Sequence, residues 1–322
     1  MAVIIPCFNE GEAISQVVHG FKNALPEAPI YVYDNCSTDD TLEKARDAGA
    51  IVRVEYRKGK GNVVRRMFSD VDADFYILVD GDLTYDPDVA PMMLERLIKD
   101  KLDMLNIARI GAKGSYRKGH RLGNFLLTKT VKIIFGSGLD DMLSGYRIFT
   151  RRFVKTFPSK SDGFEIETEL TIHSLEMKIP IGEFTAKYED RPHGSVSKLS
   201  TFRDGINILF MIIRLFFLVK PITSFSLVSA FLAITSIING WFQVIKPWID
   251  NDVITRYPSV IMSSSLMVLA IFMFMTGIVI NSISNMRKDQ FRLLYLNTQP
   301  NPDLDNRLCN NNDAPYRPLP AS

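Results

Sequence analysis

Short apolar runs alternate with longer amphipathic stretches through the first part of the chain. Ala2 to Ile5 is a β-branched run broken by Pro6, and Ile14, Val17, Val18 and Phe21 then recur at the spacing of one helix face. Ile30 to Tyr33 is a second run, followed by the polar loop Asp34 to Thr41, where Ser or Thr before acids forms a helix N-cap signal. Ile51 to Tyr56 predicts a third strand, after which Arg57 to Asn62 opens a helix carrying Val63, Val64, Met67 and Phe68. A fourth strand, Phe75 to Val79, ends in Asp80-Gly81-Asp82. A helix over Asp88 to Lys99 and a strand over Leu102 to Ala108 follow. Strands alternating with helices predict an α/β fold with a mostly parallel, doubly wound sheet and helices on both faces.

The polar positions at the strand ends carry the candidate chemistry. Open α/β sheets bind ligands outside the carboxyl ends of their strands. The Asp80/Asp82 pair there is suited to a divalent ion whose other positions go to phosphate and water, and equally to a solvated turn. Gly59 and Gly61 beside Lys58 and Lys60 offer backbone amides and an ammonium group to phosphate. No G-x-G-x-x-G follows the first strand, which disfavours a dinucleotide-binding dehydrogenase. Beyond Arg109 the chain is basic through Lys113, Arg117, Lys118, His120 and Arg121, which suggests an anionic substrate. Glu165 and Glu167, opening a helix, lie two apart and do not share a face.

Further on the pattern changes. The 322-residue chain is soluble in character for about two hundred residues, and the stretch from about Ile206 to Ile283 is mostly apolar. Arg203, Asn207 and Arg214 form a narrow polar stripe, which predicts an interfacial amphipathic helix over 201–221. The runs 222–245 and 259–283 are each long enough to span ~30 Å of hydrocarbon. Arg214 and Lys220 before the first run and Arg287, Lys288 and Arg292 after the second place both ends in the cytoplasm by the positive-inside rule. The expectation is a cytosolic domain over 1–200, a transmembrane hairpin in the cell (inner) membrane, and a disordered Asn- and Pro-rich tail over 297–322. A net charge of +2 is too small to indicate nucleic acid as the main partner, and three cysteines without ligand spacing argue against a disulfide framework or a zinc site. No signal peptide is expected.

Seven blocks in order give the chain a resemblance to the polyprenyl-phosphate glycosyltransferases of glycosyltransferase family 2. They are VIIPCFNE (Val3 to Glu10), DNCSTDDT (Asp34 to Thr41), RKGKGN (Arg57 to Asn62), DGD (Asp80 to Asp82), DMLSGYR (Asp141 to Arg147), FEIETE (Phe164 to Glu169) and DRPHGSVSKL (Asp190 to Leu199). The resemblance implies a GT-A (Rossmann-like) domain and an inverting transfer of one sugar from a nucleotide sugar to polyprenyl phosphate. UDP-glucose is expected as donor, with GDP-mannose as the alternative. It implies that Pro6, Phe8, Glu10, Asp34 and Lys60 contact the nucleotide, and that Asp80 and Asp82 hold Mg2+ or Mn2+ at the diphosphate. Arg109, Arg121, Arg191 and Lys198 match positions for substrate phosphates, and Asp141 could orient the sugar or an arginine. One departure is Asn35, where many relatives carry a second acid.

Two other readings remain. A processive polysaccharide synthase shares the domain type but needs a Gln-x-x-Arg-Trp motif and more spans. A non-catalytic nucleotide-sugar-binding membrane scaffold would be expected to lose some of Asp80, Asp82 and the basic matches. A homo-oligomer is left open.

Overall fold

The computed structural model describes residues 1–110, 128–133, 139–163, 165–188, 216–217, 219–251 and 256–298. The chain divides into two compact units, Met1–Phe202 with Phe291–Ser322, and Arg203–Gln290. Of the expected features, Arg121, Arg191, Lys198, most of the interfacial helix and the tail beyond residue 298 lie outside the described residues.

The first unit is built on a seven-stranded sheet in the order β3-β2-β1-β4-β6-β5-β7. The strands are β1 (Ala2–Cys7), β2 (Ile30–Asp34), β3 (Ile51–Val54), β4 (Phe75–Leu78), β5 (Met104–Ile110), β6 (Arg147–Thr150) and β7 (Ile181–Lys187). All neighbouring pairs are parallel except those made by β6, which runs antiparallel to both β4 and β5. The helices whose full extent is described are α1 (Ile14–Ala24), α2 (Thr41–Asp47), α3 (Lys60–Asp70), α4 (Ala90–Lys99), α5 (Arg151–Thr156) and α6 (Ile166–Met177).

Period-two alternation in the strands sends successive side chains to opposite faces. Val3, Ile5, Val32, Ile77 and Ile148 pack with Val17, Val18 and Phe21 of α1 and Met93 and Leu97 of α4. Ala2, Ile4, Tyr33, Tyr76, Leu78 and Phe149 pack on the other face with Val63, Val64, Met67 and Phe68 of α3, Phe153 of α5 and Leu170 of α6. The sheet is therefore covered on both sides, as a doubly wound fold requires. The sequence reading missed β6 and β7. β6 has four residues beginning with an arginine, and β7 has no fully buried position and carries Gly182, Glu183 and Thr185, so neither stands out as an apolar run. The expected helix at Asp88 starts as a 3-10 turn, Pro87–Val89, and becomes α-helical at Ala90.

The second unit contains α7 (Pro221–Gly240), a π-helical turn at Trp241–Ile245, α8 (Lys246–Asn251) and most of α9 (Tyr257–Asn297). Pro221–Asp250 and Tyr257–Asn297 are long and apolar enough to cross a membrane. The two helices are joined by polar contacts between them. Ser229 donates to the Ala270 carbonyl and Ser236 to that of Ser263, both at 2.7 Å, and Asn239 donates to the Ser263 hydroxyl at 2.8 Å. Gly277 allows close approach, because a Cβ there would lie 2.7 Å from the Phe225 side chain. Thr235 and Thr276 satisfy their own hydroxyls on carbonyls four residues back, which makes them compatible with an apolar surrounding.

Candidate active site

Those functional residues named from the sequence that are described, Pro6, Phe8, Glu10, Asp34, Lys60, Asp80, Asp82, Arg109 and Asp141, lie on or beside the strand ends. β1, β2, β4, β5 and β7 all point their carboxyl ends the same way, and antiparallel β6 begins there. Three left-handed residues mark this end: Asn9 (φ 52°), Cys36 (φ 62°) and Leu83 (φ 59°) follow β1, β2 and β4. Each costs of order 1–3 kcal/mol unless its surroundings hold it. The loops supply that support. The Asn9 carboxamide accepts from the Thr38 amide at 2.8 Å, the Ser37 hydroxyl accepts from the Asn9 amide at 2.8 Å, and Thr41 accepts from the Glu10 amide at 2.8 Å. The β1 and β2 loops are thus one cross-linked rim.

Asp34 closes β2 and is 3% exposed. Its Oδ2 accepts from the Ser37 amide at 3.0 Å, while its buried Oδ1 has no hydrogen-bond partner among the described residues. A buried acceptor left unmade is costly, so this oxygen fits a donor supplied by a ligand. Asn35 has a different task. Its amide donates to the Glu55 and Arg57 carbonyls at 2.8 and 2.9 Å, and its Oδ1 accepts from the Gly59 amide at 2.7 Å. A carboxylate could not donate to those carbonyls, so the asparagine fastens the β3–α3 loop. Pro6 lies half-buried at the end of β1, beside an exposed Phe8 and a half-buried Glu10.

The glycines of that loop serve packing. Gly59 has φ 122°, and a Cβ on Gly59 or Gly61 would fall 2.1 Å from the Asp162 or Ser161 carbonyl oxygen. The Gly61 amide donates to the Asp162 carbonyl at 3.0 Å and that of Asn62 to Gly59 at 3.0 Å. These amides are engaged within the protein, which corrects the expectation that they face a phosphate. The ammonium of Lys60 is what reaches the site.

Lys60 meets two carboxylates, with its Nζ 2.5 Å from both Asp80 Oδ1 and Glu167 Oε1. The Lys60 and Glu167 side chains are 9% exposed and that of Asp80 28%. Burial opposes the Lys60 charge, but the pull of Asp80 and then Glu167 outweighs it and raises its pKa. Burial raises the pKa of Glu167 against the attraction of Lys60, with the charge of Asp80 adding to the rise. Glu165, two residues earlier, is exposed. Asp82 is 3% exposed, and its Oδ1 accepts from the Thr84 hydroxyl at 2.6 Å and from the Thr84 amide at 3.3 Å.

The turn leading into β6 completes the site. β4 pairs with β6 through Leu78 and Arg147, which brings Gly145 against Asp80. A Cβ on Gly145 would lie 2.0 Å from Asp80 Oδ2, so this glycine is needed for the carboxylate to sit where it does. Arg147 is 0% exposed. Its guanidinium donates to the Ser144 carbonyl at 3.1 Å, the Met142 carbonyl at 2.7 Å and the Thr171 hydroxyl at 2.9 Å. Burial pulls its pKa down to about 10, which leaves it charged at neutral pH. Tyr85 accepts from the Gly145 amide at 2.9 Å, and its ring contacts those of Tyr146 and Tyr188 edge-on at 5.4 and 5.3 Å. Burial holds the Tyr85 phenol well above its ordinary pKa.

Arg109, near the end of β5, grips Asp141 with both arms. Nε lies 2.5 Å from Oδ2 and Nη2 lies 2.8 Å from Oδ1. The Tyr188 ring lies 5.2 Å from the guanidinium, and Glu183 of β7 anchors the turn by accepting from the Asp140 and Asp141 amides, the latter at 3.1 Å. Glu183, Tyr85, Tyr188 and Asn106, whose amide donates to the Asp141 carbonyl at 2.8 Å, were not found by sequence reasoning. β7 was unrecognised, and the two tyrosines fall outside the seven blocks on which the resemblance rests.

The donor set suits a hard divalent cation in a limited way. Among the described residues no three His, Cys, Asp or Glu side chains converge as a metal cage. Asp80 and Asp82 supply carboxylate oxygens, which fits an ion that takes one or two protein carboxylates and completes its shell with substrate phosphates and water.

Comparison with known proteins agrees with this architecture. The description Glycosyl transferase family 2 matches residues 2–157. Protein RfbJ of Shigella flexneri is 58% identical over 123 residues, covering 38% of this chain and 95% of that protein. Glycosyltransferase AglJ of Haloferax volcanii is 34% identical over 213 residues, covering 66% of this chain and 70% of that one. A dolichol-phosphate mannosyltransferase of Pyrococcus furiosus is 28% identical over 203 residues, covering 58% and 56%. Among solved structures, glucosyl-3-phosphoglycerate synthase from Mycobacterium tuberculosis, in complex with Mn2+, UDP-glucose and glycerol 3-phosphate, superposes with a TM-score of 0.55 at 20% identity, covering 66% of this chain and 79% of that one. The fold is shared at that level.

Proposed function

Because the chain belongs to glycosyl transferase family 2 and is a glycosyltransferase, we propose that it moves one sugar, glucose from UDP-glucose, to the phosphate of a polyprenyl phosphate at the cytosolic face of the inner membrane. The observation that carries the reading is the convergence of Asp80, Lys60 and Glu167 at the sheet's carboxyl end, in the same unit as the Asp34 oxygen that has no partner among the described residues. The two apolar helices support membrane anchoring, and the polyprenyl acceptor is supported by the Pyrococcus relative, whose name specifies dolichol phosphate. The same name specifies a mannosyl group, the sugar of the second donor reading, GDP-mannose.

In this account Asp34 Oδ1 accepts an N–H of the nucleobase, with Pro6, Phe8 and Glu10 forming the rim around base and ribose. Asp80 and Asp82 hold Mg2+ or Mn2+, which supplies positive charge against the departing diphosphate. Lys60 adds a second positive charge there. Arg109 presents its guanidinium to a substrate phosphate and Asp141 fixes its orientation, because both Asp141 oxygens accept from it. Arg121, Arg191 and Lys198 are proposed to complete the acceptor site. No side chain is required as general base, since a lipid monophosphate with a second pKa of ~6 is largely dianionic at neutral pH. Catalysis then consists of aligning that oxygen with the anomeric carbon and stabilising the leaving group, in one inverting displacement.

The test is incubation of the purified full chain with polyprenyl phosphate, Mg2+ or Mn2+ and a panel of nucleotide sugars, followed by mass spectrometry of the lipid. A lipid-phosphate hexose formed from UDP-glucose is expected. Product only with GDP-mannose would move the donor assignment, and transfer to soluble acceptors alone would overturn the acceptor.

A further inference from the structure

The turn that carries Asp141 into β6 is held in two halves by different residues. Its second half belongs to Arg147 and Tyr85. The guanidinium of Arg147 donates to the Met142 and Ser144 carbonyls at 2.7 and 3.1 Å, and the Tyr85 hydroxyl accepts from the Gly145 amide at 2.9 Å. Its first half belongs to Glu183 and Asn106, which are partners in the β5–β7 register. Glu183 Oε1 accepts from the Asp140 and Asp141 amides, both at 3.1 Å, and Oε2 accepts from the Asp140 amide at 2.9 Å. Asn106 is 0% exposed and donates to the Asp141 carbonyl at 2.8 Å and to Glu183 Oε1 at 3.2 Å. The backbone of Asp141 is thus fixed at both ends, its N–H on Glu183 and its C=O on Asn106. Amides that donate to a carboxylate make charge-assisted bonds, roughly twice as strong as neutral ones, so Glu183 is the firmer of the two anchors.

The Asp141 carboxylate in turn takes Nε and Nη2 of Arg109. A two-point grip of this kind sets the plane of a guanidinium as well as its distance, so a shift of the Asp141 backbone carries the Arg109 plane with it. We propose that Glu183 is a positioning residue for the acceptor: it sets the Asp140–Asp141 backbone so that Asp141 presents the Arg109 guanidinium to the lipid phosphate. This rests on the reading of Arg109 as a contact to that phosphate. The part of the turn that lies against Asp80, at Gly145, has its own anchors in Arg147 and Tyr85. Loss of Glu183 therefore weakens the acceptor and spares the nucleotide, although one turn serves both.

The probes are a short polyprenyl monophosphate, and UDP with Mn2+, each titrated by calorimetry into the detergent-solubilised full chain. Arg109→Ala should weaken monophosphate binding by roughly ten- to a hundredfold, as for loss of a charge-assisted contact. Glu183→Ala should weaken it by about tenfold, with UDP affinity within about twofold of wild type. Glu183→Gln keeps one acceptor oxygen and should fall between wild type and Glu183→Ala, and it carries the test if the alanine variant does not fold. Because Glu183 acts through Arg109, Arg109→Ala/Glu183→Ala should bind the monophosphate as Arg109→Ala does, within about twofold. A merely structural role would weaken UDP and monophosphate together, and its effect would multiply with that of Arg109→Ala. Either result overturns the inference, as does wild-type monophosphate affinity in the Glu183 variants, and a loss at Arg109→Ala beside them leaves the phosphate reading standing. If Arg109→Ala itself binds the monophosphate as wild type does, the reading of Arg109 falls and the inference with it.

Discussion

Two buried cations near the carboxyl end of β4 are held in opposite ways. Lys60 sits between two carboxylates, one of them partly open to solvent. Arg147 sits among carbonyls, a hydroxyl and the Met104 sulfur, with no carboxylate in hydrogen-bond contact among the described residues. An ion pair with one exposed member can exchange its cation for another. A guanidinium bonded to backbone carbonyls of its own turn has nothing to exchange, and its loss would leave those carbonyls unsatisfied. The difference separates a cation held at a partly open carboxylate from one enclosed by its own turn.

The sharpest way to break this comparison is at Asp82. Asp82→Asn keeps an oxygen for Thr84 and should leave thermal unfolding nearly unchanged, while transfer falls by about 10²–10³-fold, as for loss of a main electrostatic stabiliser. Full activity at saturating Mn2+ would remove Asp82 from the machinery. Arg147→Ala should do the reverse, costing about 3–5 kcal/mol of stability in urea unfolding through a cavity and unsatisfied carbonyls. A stable Arg147→Ala protein with a selective loss of activity would show that the arginine acts on substrate.

Both residues sit in motifs visible in the sequence, yet only one role was legible. The strand ends, the helix faces and the acid pair follow from periodicity and from where open sheets bind ligands. The antiparallel β6 does not, because its four residues depend on pairing with β4 and β5. That pairing is what sets Gly145 on Asp80 and Arg109 on Asp141. In the sequence Glu167 is one of two acids opening a helix, but its partner Lys60 is 107 positions away in the chain, a separation no local pattern reveals. The glycines at 59 and 61 misled for a related reason, since the loop they pack against comes a hundred residues later.

Smaller effects refine the contrast. Asp34→Ala should weaken UDP binding by roughly ten- to a hundredfold, the value of one hydrogen bond to a charged group at about 1.5–3 kcal/mol, with a slight change in unfolding. Calorimetry showing unchanged affinity would detach the open oxygen from the nucleobase. The smallest effect is expected at the α4 surface pair Arg96–Asp100, which is half exposed at the arginine. Asp100→Asn should alter stability by less than about 1 kcal/mol and leave UDP binding unchanged.

The central claim is that Asp80 and Asp82 bring a divalent cation and the donor's diphosphate together at the end of β4. Pulsed electron–nuclear double resonance on the full chain with Mn2+ and UDP measures this directly, through hyperfine coupling between the ion and phosphorus. The expected result is a 31P coupling from protein-bound Mn2+·UDP that disappears in Asp80→Asn/Asp82→Asn. A bound nucleotide with no 31P coupling in the wild type, or the same protein-bound signal in the double variant, would contradict the account.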